Sequence, residues 1–362
     1  MKTLKFNDRK TRKFAKLGIL LTLILTLLLS ACSNSANNTN SNSGEKEDSQ
    51  GNGEKIKMVF DTIGSRTDSS WSQAIFEAYE YIKEMYPDVE ASFTDLNPPA
   101  EFPAILDKQA ADGADIIYVE DAWYEALLEV APKYPDTKFI MTHLDQARLD
   151  KLPDNVTSPN AREEEGAFLA GVAAALMTKT NKIAYIQAVE GSAPLVRAGY
   201  GYFSGAKYIN PDIETIMAYT GDWVDVQKGY MTADTVIKQG ADVIMHFTDN
   251  AGLGVLKAAE EKGAYIVGEA LDQYQFAPKN VLTSFLVPHD KLAEWAVEQY
   301  KAGALKKEIV EFGVKEGWPV LAPLTNMPDD VKVQIDQVKQ KIISGEIKVP
   351  NKTDRNDLKE FE

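Results

Sequence analysis

Three short stretches of the chain set carboxylates beside an indole. Asp68 precedes Trp71 by three residues, Glu120 and Asp121 precede Trp123, and "GDWVD" (221–225) places Trp223 between Asp222 and Asp225. A carboxylate accepts hydrogen bonds and an indole offers a flat apolar face. Together they suit a neutral or cationic ring with N–H or hydroxyl donors, and they disfavour phosphorylated ligands. Stacking on such a face is worth on the order of 1 kcal/mol, and more for a desolvated base. The same residues also have a purely structural reading. Asp121 and Asp225 both precede helical patterns and can serve as N-caps. Trp71 can top the apolar stripe of Ile75, Tyr79, Ile82 and Tyr86. In "SWSQ" (70–73), Ser70 and Gln73 have capping-box spacing, which accounts for them without a ligand and leaves Asp68 and Trp71 to be explained.

Other chemistries find little footing. His143, His246 and His289 are the only histidines and lie far apart, so no metal is expected. Cys32 is the only cysteine, which leaves no disulfide and no thiolate site. No nucleophile–base couple stands out, so the chain does not read as an enzyme. The glycine-rich stretches "DNAGLGVLKAA" (249–259) and "GYGYFSG" (199–205) lack dinucleotide and P-loop spacing. They read as close backbone approach and helix packing, and no cofactor is expected.

These residues need a scaffold, and the pattern supplies one. From residue 55 onward, short apolar runs alternate with amphipathic helical stretches. Strands are expected at 55–61, 90–95, 114–120, 138–143 and 155–160, then at 182–188, 213–219, 242–247 and 264–270. Helices are expected at 70–85, 101–112, 122–134, 162–177, 195–209, 225–239 and 252–262. Strict alternation implies parallel sheets covered on both faces, and two series in tandem imply two Rossmann-like α/β lobes joined by a hinge. A later strand (280–288) and helix (289–302) are expected to return to the first lobe, and 308–324 to the second. The first lobe is then 55–160 plus about 280–304, the second 161–279 plus about 305–350, and 351–362 a polar tail. Ligands of open parallel sheets sit at the carboxyl ends of the strands. The candidate binding set from the first lobe is therefore Asp68, Ser69, Trp71, Asp121, Trp123 and Asn160. The second lobe adds Trp223, Asp249, Gly252 and Asp272.

The first 54 residues follow different rules. A basic segment precedes the apolar run "LGILLTLILTLLLS" (17–30), which is short for a permanent span and has signal-peptide layout. It ends in "LSAC" (29–32), which resembles a bacterial lipobox and implies cleavage before Cys32 and acylation of that residue. The following 22 residues are rich in Asn, Ser and Gly and read as an unfolded tether with a reach of roughly 25 Å. The body is thus expected on the extracytoplasmic face of the cell membrane, held by its lipid. Residues 1–31 carry seven of the 39 bases and one of the 54 acids, which leaves 32 against 53 and a net charge of −21. Nucleic acid is therefore not an expected partner.

The stretches "REEEGAFLAGVAAALMTKTNKIAYI" (162–186), "FSGAKYINPDIE" (203–214), "YTGDWVDVQKG" (219–229), "QGADVIMHFTDNAGLGVLKAAEEKGAYIVG" (239–268) and "ISGEIKVP" (343–350) resemble the basic membrane protein family of bacterial lipoproteins. These are purine-nucleoside receptors of ABC importers with the type I periplasmic-binding-protein fold. The resemblance implies a purine nucleoside or free base as ligand, an ABC permease as partner, and stacking of the ring on Trp71, where relatives usually carry Phe. It places a second stacking aromatic near Tyr200 or Tyr202. Two positions depart from the family pattern. Ala270 stands where relatives have an Asp that contacts ribose hydroxyls, and His143 where they tend to have Asp. A sensor or surface-interaction lipoprotein of the same fold is the competing reading.

Overall fold

The computed structural model describes residues 55–361 apart from Pro319. The expected leader, lipobox, Cys32 and tether lie outside the described residues. Eleven strands are present among those described: β1 (Ile56–Asp61), β2 (Val89–Thr94), β3 (Ile116–Val119), β4 (Lys138–Met141), β5 (Val156–Ala161), β6 (Lys182–Gln187), β7 (Glu214–Tyr219), β8 (Val243–Phe247), β9 (Tyr265–Gly268), β10 (Val281–Ser284) and β11 (Glu308–Phe312). They form two sheets, ordered β11-β5-β4-β3-β1-β2 and β10-β9-β8-β6-β7. Every strand pairing within them is parallel. Both sheets share one winding: the second strand of each series lies outside the first, and the third to fifth follow on its other side. Each therefore has a switch point, between β1 and β3 and between β6 and β8, where diverging connections open a crevice.

Helices α1 (Trp71–Met85), α2 (Phe102–Ala111), α3 (Tyr124–Val130), α4 (Glu163–Met177), α5 (Ala193–Ile209), α6 (Val226–Lys238), α7 (Gly252–Lys262), α8 (His289–Lys301) and α9 (Asp329–Ser344) cover the sheets. Helices α4 and α5 approach closely because glycines face the contact. A Cβ on Gly171 would stand 1.9 Å from the Tyr202 carbonyl oxygen, and one on Gly205 would stand 1.9 Å from that of Phe168. This agrees with the packing reading of "GYGYFSG".

Two expectations about the return segments are corrected. β10 stays in the second sheet, pairing Val281 with Ile266 and Ser284 with Gly268. β11 joins the first sheet, pairing Glu308 with Thr157 through Phe312 with Ala161. Between them α8 packs on α1, and later α9 packs on α4. The physical reason is that β9 still has an unpaired edge when β10 arrives, and β5 keeps one until β11 does. The chain crosses between lobes after β5, after β10 and after β11. The last two crossings run antiparallel, with Leu286 N donating to Val320 O and Ala322 N to Ser284 O, both at 2.9 Å. The tail is also less polar in its role than in its composition. Residues Arg355–Phe361 form a 3-10 turn that buries Leu358 against Val196 and Tyr200.

Candidate functional site

The loop leading into α1 is built around Asp68. Its Oδ1 accepts from the backbone N–H of Ser70 (2.9 Å) and Gln73 (3.1 Å), and its Oδ2 from Ser72 (3.0 Å). Asp68, rather than Ser70, therefore satisfies the open donors of the helix start, which corrects the capping-box expectation. The exchange follows from Ser69, whose φ of 64° folds the chain back and brings the Asp68 carboxylate under the first turn. Gln73 does reach back, but to Ser69 N at 3.2 Å. Freed from capping, Ser70 Oγ donates to Asp249 Oδ1 in the other lobe at 3.0 Å. A second bond crosses beside it, from Gln273 Nε2 to Ser69 O at 2.9 Å.

Between the lobes lies a cavity of about 640 Å³ at both switch points. The first lobe lines it with the loops after β1 and β3, including Asp68, Trp71, Glu120 and Asp121. The second contributes Pro194, Trp223, Phe247 and Asp249 from the loops after β6, β7 and β8. Trp71 is 6% exposed, with Phe247 5.7 Å away between ring centroids at a 32° tilt. Asp222 and Asp225 are spent on their own turn, Asp225 capping α6 through Gln227 and Lys228 N–H. That turn leaves Trp223 facing the cavity. Glu120 Oε1 accepts from Ile63 N at 2.8 Å and so ties the β1 and β3 loops together.

Among the described residues no Lys or Arg lines the cavity. Burial pushes Glu120 up to about 8 and Asp121 up to about 6, with Arg148 and Arg197 pulling the latter down. Asp249 is raised well above the usual carboxylate range by burial first and then by Glu269 and Asp68 nearby. Burial also raises Asp68, against the pull of its three backbone donors. Near neutral pH, Glu120 therefore holds its proton. Such a carboxyl has one O–H donor and further acceptor capacity, so the cavity can meet both donor and acceptor edges of a ring. Phosphate would find no counter-charge there. Among the described residues no group of three or more His, Asp or Glu is placed to share a metal ion.

Five of the expected residues come together here: Asp68, Trp71, Asp121, Trp223 and Asp249. The others do not line the cavity. Ser69 contributes only its backbone, to the crossing bond from Gln273. Trp123 is fully buried in the first lobe, stacked on Phe102 with centroids 3.7 Å apart. Asn160 is buried beneath the site, its Oδ1 accepting from His143 N at 2.6 Å. Tyr200 faces the C-terminal turn, edge-on to Phe361 at 5.1 Å. Gly252 gives room to the His246 ring, 2.4 Å from where its Cβ would stand. Asp272 is exposed and accepts from Tyr274 N at 3.0 Å. Tyr202, the other aromatic candidate, is fully buried in the core. At the ribose position of relatives, Ala270 has φ 58° and is buried, and both Glu269 oxygens accept from Thr248 N. Glu120, paired with Trp123 in the sequence but left out of the candidate set, lines the cavity, as do Phe247 and Pro194, which the sequence reading missed. All three sit at or just beyond strand ends in loops that the strand-end rule already marks.

Comparison with known proteins identifies the family and the fold. Residues 54–353 match a family model described as ABC transporter substrate-binding protein PnrA-like. A purine-binding protein of Brucella abortus is 32% identical over 303 residues, 81% of this chain and 83% of that one. Basic membrane protein A of Borreliella burgdorferi is 29% identical over 322 residues, 85% of this chain and 91% of that one. An ABC transporter solute-binding protein from Aeropyrum pernix superposes with a TM-score of 0.73 at 26% identity, covering 84% of this chain and 96% of that one. The two hinged parallel sheets are the type I periplasmic-binding-protein arrangement.

Proposed function

The chain belongs to the PnrA-like family of ABC-transporter substrate-binding proteins, and from that premise we propose that it captures a purine nucleoside between its lobes and delivers it to an ABC permease. The observation that carries the ligand class is the cavity itself. Trp71, Trp223 and Phe247 supply ring-sized apolar faces, while Glu120, Asp121 and Asp249 supply donors and acceptors, with no cation among the described lining residues. That combination suits an uncharged heteroaromatic ring and rejects nucleotides. The Brucella relative, named a purine-binding protein, supports the same class. The lipobox at 29–32 supports anchoring through Cys32 on the extracytoplasmic face. No helix among the described residues is long and apolar enough to cross a membrane.

A free purine base is the second reading, and Ala270 favours it. A methyl group replaces the ribose-binding carboxylate implied by the family, and Glu269 is already engaged. A thermal-shift screen of nucleosides, bases, sugars and amino acids on protein lacking residues 1–32 separates these readings. A ligand at 100 times its Kd adds about 2.7 kcal/mol of stability. Stabilisation by adenosine, inosine or guanosine supports the first reading, and stabilisation by bases alone supports the second. Silence from all purines would remove both.

A further inference from the structure

Trp71 is held from behind by two buried imidazoles that do not themselves line the cavity. The His143 ring is 4.6 Å from the indole between centroids at 65°, and the His289 ring 5.0 Å at 79°, both edge contacts. The two imidazoles are 5.7 Å from each other. Each is itself fastened. His143 takes φ 67° at the end of β4, a conformation unfavourable for a residue with a Cβ. It is kept there by Asn160, which accepts from His143 N at 2.6 Å and donates to Leu144 O at 2.8 Å. Ser158 Oγ in turn donates to Asn160 Oδ1 at 2.8 Å. His289 opens α8 with Nδ1 2.8 Å from the Tyr118 hydroxyl. Burial pushes both imidazoles below their ordinary range, so neither brings charge to the indole at neutral pH. The two supports also come from separate parts of the chain. His143 belongs to the first pass through the first lobe, while His289 stands where the chain re-enters that lobe from β10.

We propose that His143 and His289 are positioning residues for the ligand-facing indole of Trp71, with Asn160 acting through His143, so that the ring is set before any ligand arrives. This rests on the reading that Trp71 stacks on the ligand. An indole left free to change rotamer must be ordered on binding, which lowers affinity by roughly two- to tenfold.

The test labels the protein with 5-fluorotryptophan and follows the fluorine spectrum without ligand. The Trp71 line is identified by its loss in Trp71→Phe, and the four other tryptophan lines report on the fold. His143→Ala should broaden or split the Trp71 line alone, Asn160→Ala should do so more weakly, and His143→Phe, which restores a ring, should recover a single line. His289→Ala is an independent second perturbation if His143→Ala fails to fold. In parallel, adenosine titrated by calorimetry should bind roughly two- to tenfold more weakly to His143→Ala, with recovery in His143→Phe. An unmoved Trp71 line in the alanine variants overturns the proposal, as does movement of all five lines together. Wild-type protein that binds no purine but shows the expected fluorine changes would refute the ligand reading and leave the positioning role standing.

Discussion

The bond from Ser70 Oγ to Asp249 Oδ1 joins opposite lobes, so Ser70→Ala perturbs closure with little effect on either lobe alone. Its size follows from the state of the acceptor. A hydrogen bond between neutral groups contributes about 0.5–1.5 kcal/mol net, and one to a charged acceptor about 1.5–3 kcal/mol. Asp249 is half-buried and its bond with Ser70 is partly open to solvent, which weakens it, so the lower range applies. A loss of about 1 kcal/mol weakens ligand binding about fivefold. The second crossing bond, from Gln273 to Ser69, remains and keeps the loss moderate. The assay is calorimetry with the tightest purine of the screen, joined to a stopped-flow dissociation rate. The expected result is a Kd raised about fivefold through faster dissociation, with the ligand-free melting temperature within about 2 °C of wild type. An unchanged Kd would refute the claim that the bond acts in closure. A loss beyond about fiftyfold would refute the account of one partly exposed bond, because it exceeds the lower range.

Other expectations follow from the same geometry. Glu120 and Glu163 are raised to about 8 and about 7 by burial. A carboxyl raised in the folded state favours folding while protonated, so stability should fall as pH rises from about 4.5, the ordinary glutamate range, to 8. Glu120→Gln should flatten the melting-temperature profile over that window, and an unchanged slope would count against the burial argument. Asp68→Ala leaves three backbone donors at the start of α1 without their acceptor and should cost about 1–2 kcal/mol of stability in chemical denaturation. Asp68→Asn should recover part of that loss. Ending the chain at Pro350 exposes Tyr200 and removes the buried Leu358, a loss of about 2 kcal/mol from Leu358 alone. The melting temperature should fall by about 5 °C while the rank order of ligands is kept.

The alternation of apolar runs and helical stretches was enough to read both lobes, because each strand needs one crossover helix and the pattern repeats. Sheet membership of the return segments was not legible. "NVLTSFLVP" and "EIVEF" have the same local character, and only the free edges of β9 and β5 decide where they pair. Helix α9 lies outside the helices expected from sequence, although Val331, Ile335, Val338 and Ile342 stand at helical spacing and are buried. The binding residues divide in a similar way. Trp71 and Trp123 share the pattern of an acid before an indole, yet one faces the cavity and the other stacks on Phe102, a partner set by α2. Tyr200 looked available because its cover, Phe361, lies far along the chain. Asp68 proved to be both cap and cavity wall. A local pattern cannot distinguish Ser70 from Asp68 as cap without the left-handed turn at Ser69.

The central claim is that an uncharged purine ring is held between Trp71 and the second lobe. Its most direct measurement is a calorimetric titration of adenosine, inosine and guanosine into wild-type and Trp71→Leu protein lacking residues 1–32. Saturable one-to-one binding by at least one of them to the wild type, and none to the variant, is the expected result. Absence of binding by all three nucleosides and by their free bases, or undiminished binding by Trp71→Leu, would contradict the account.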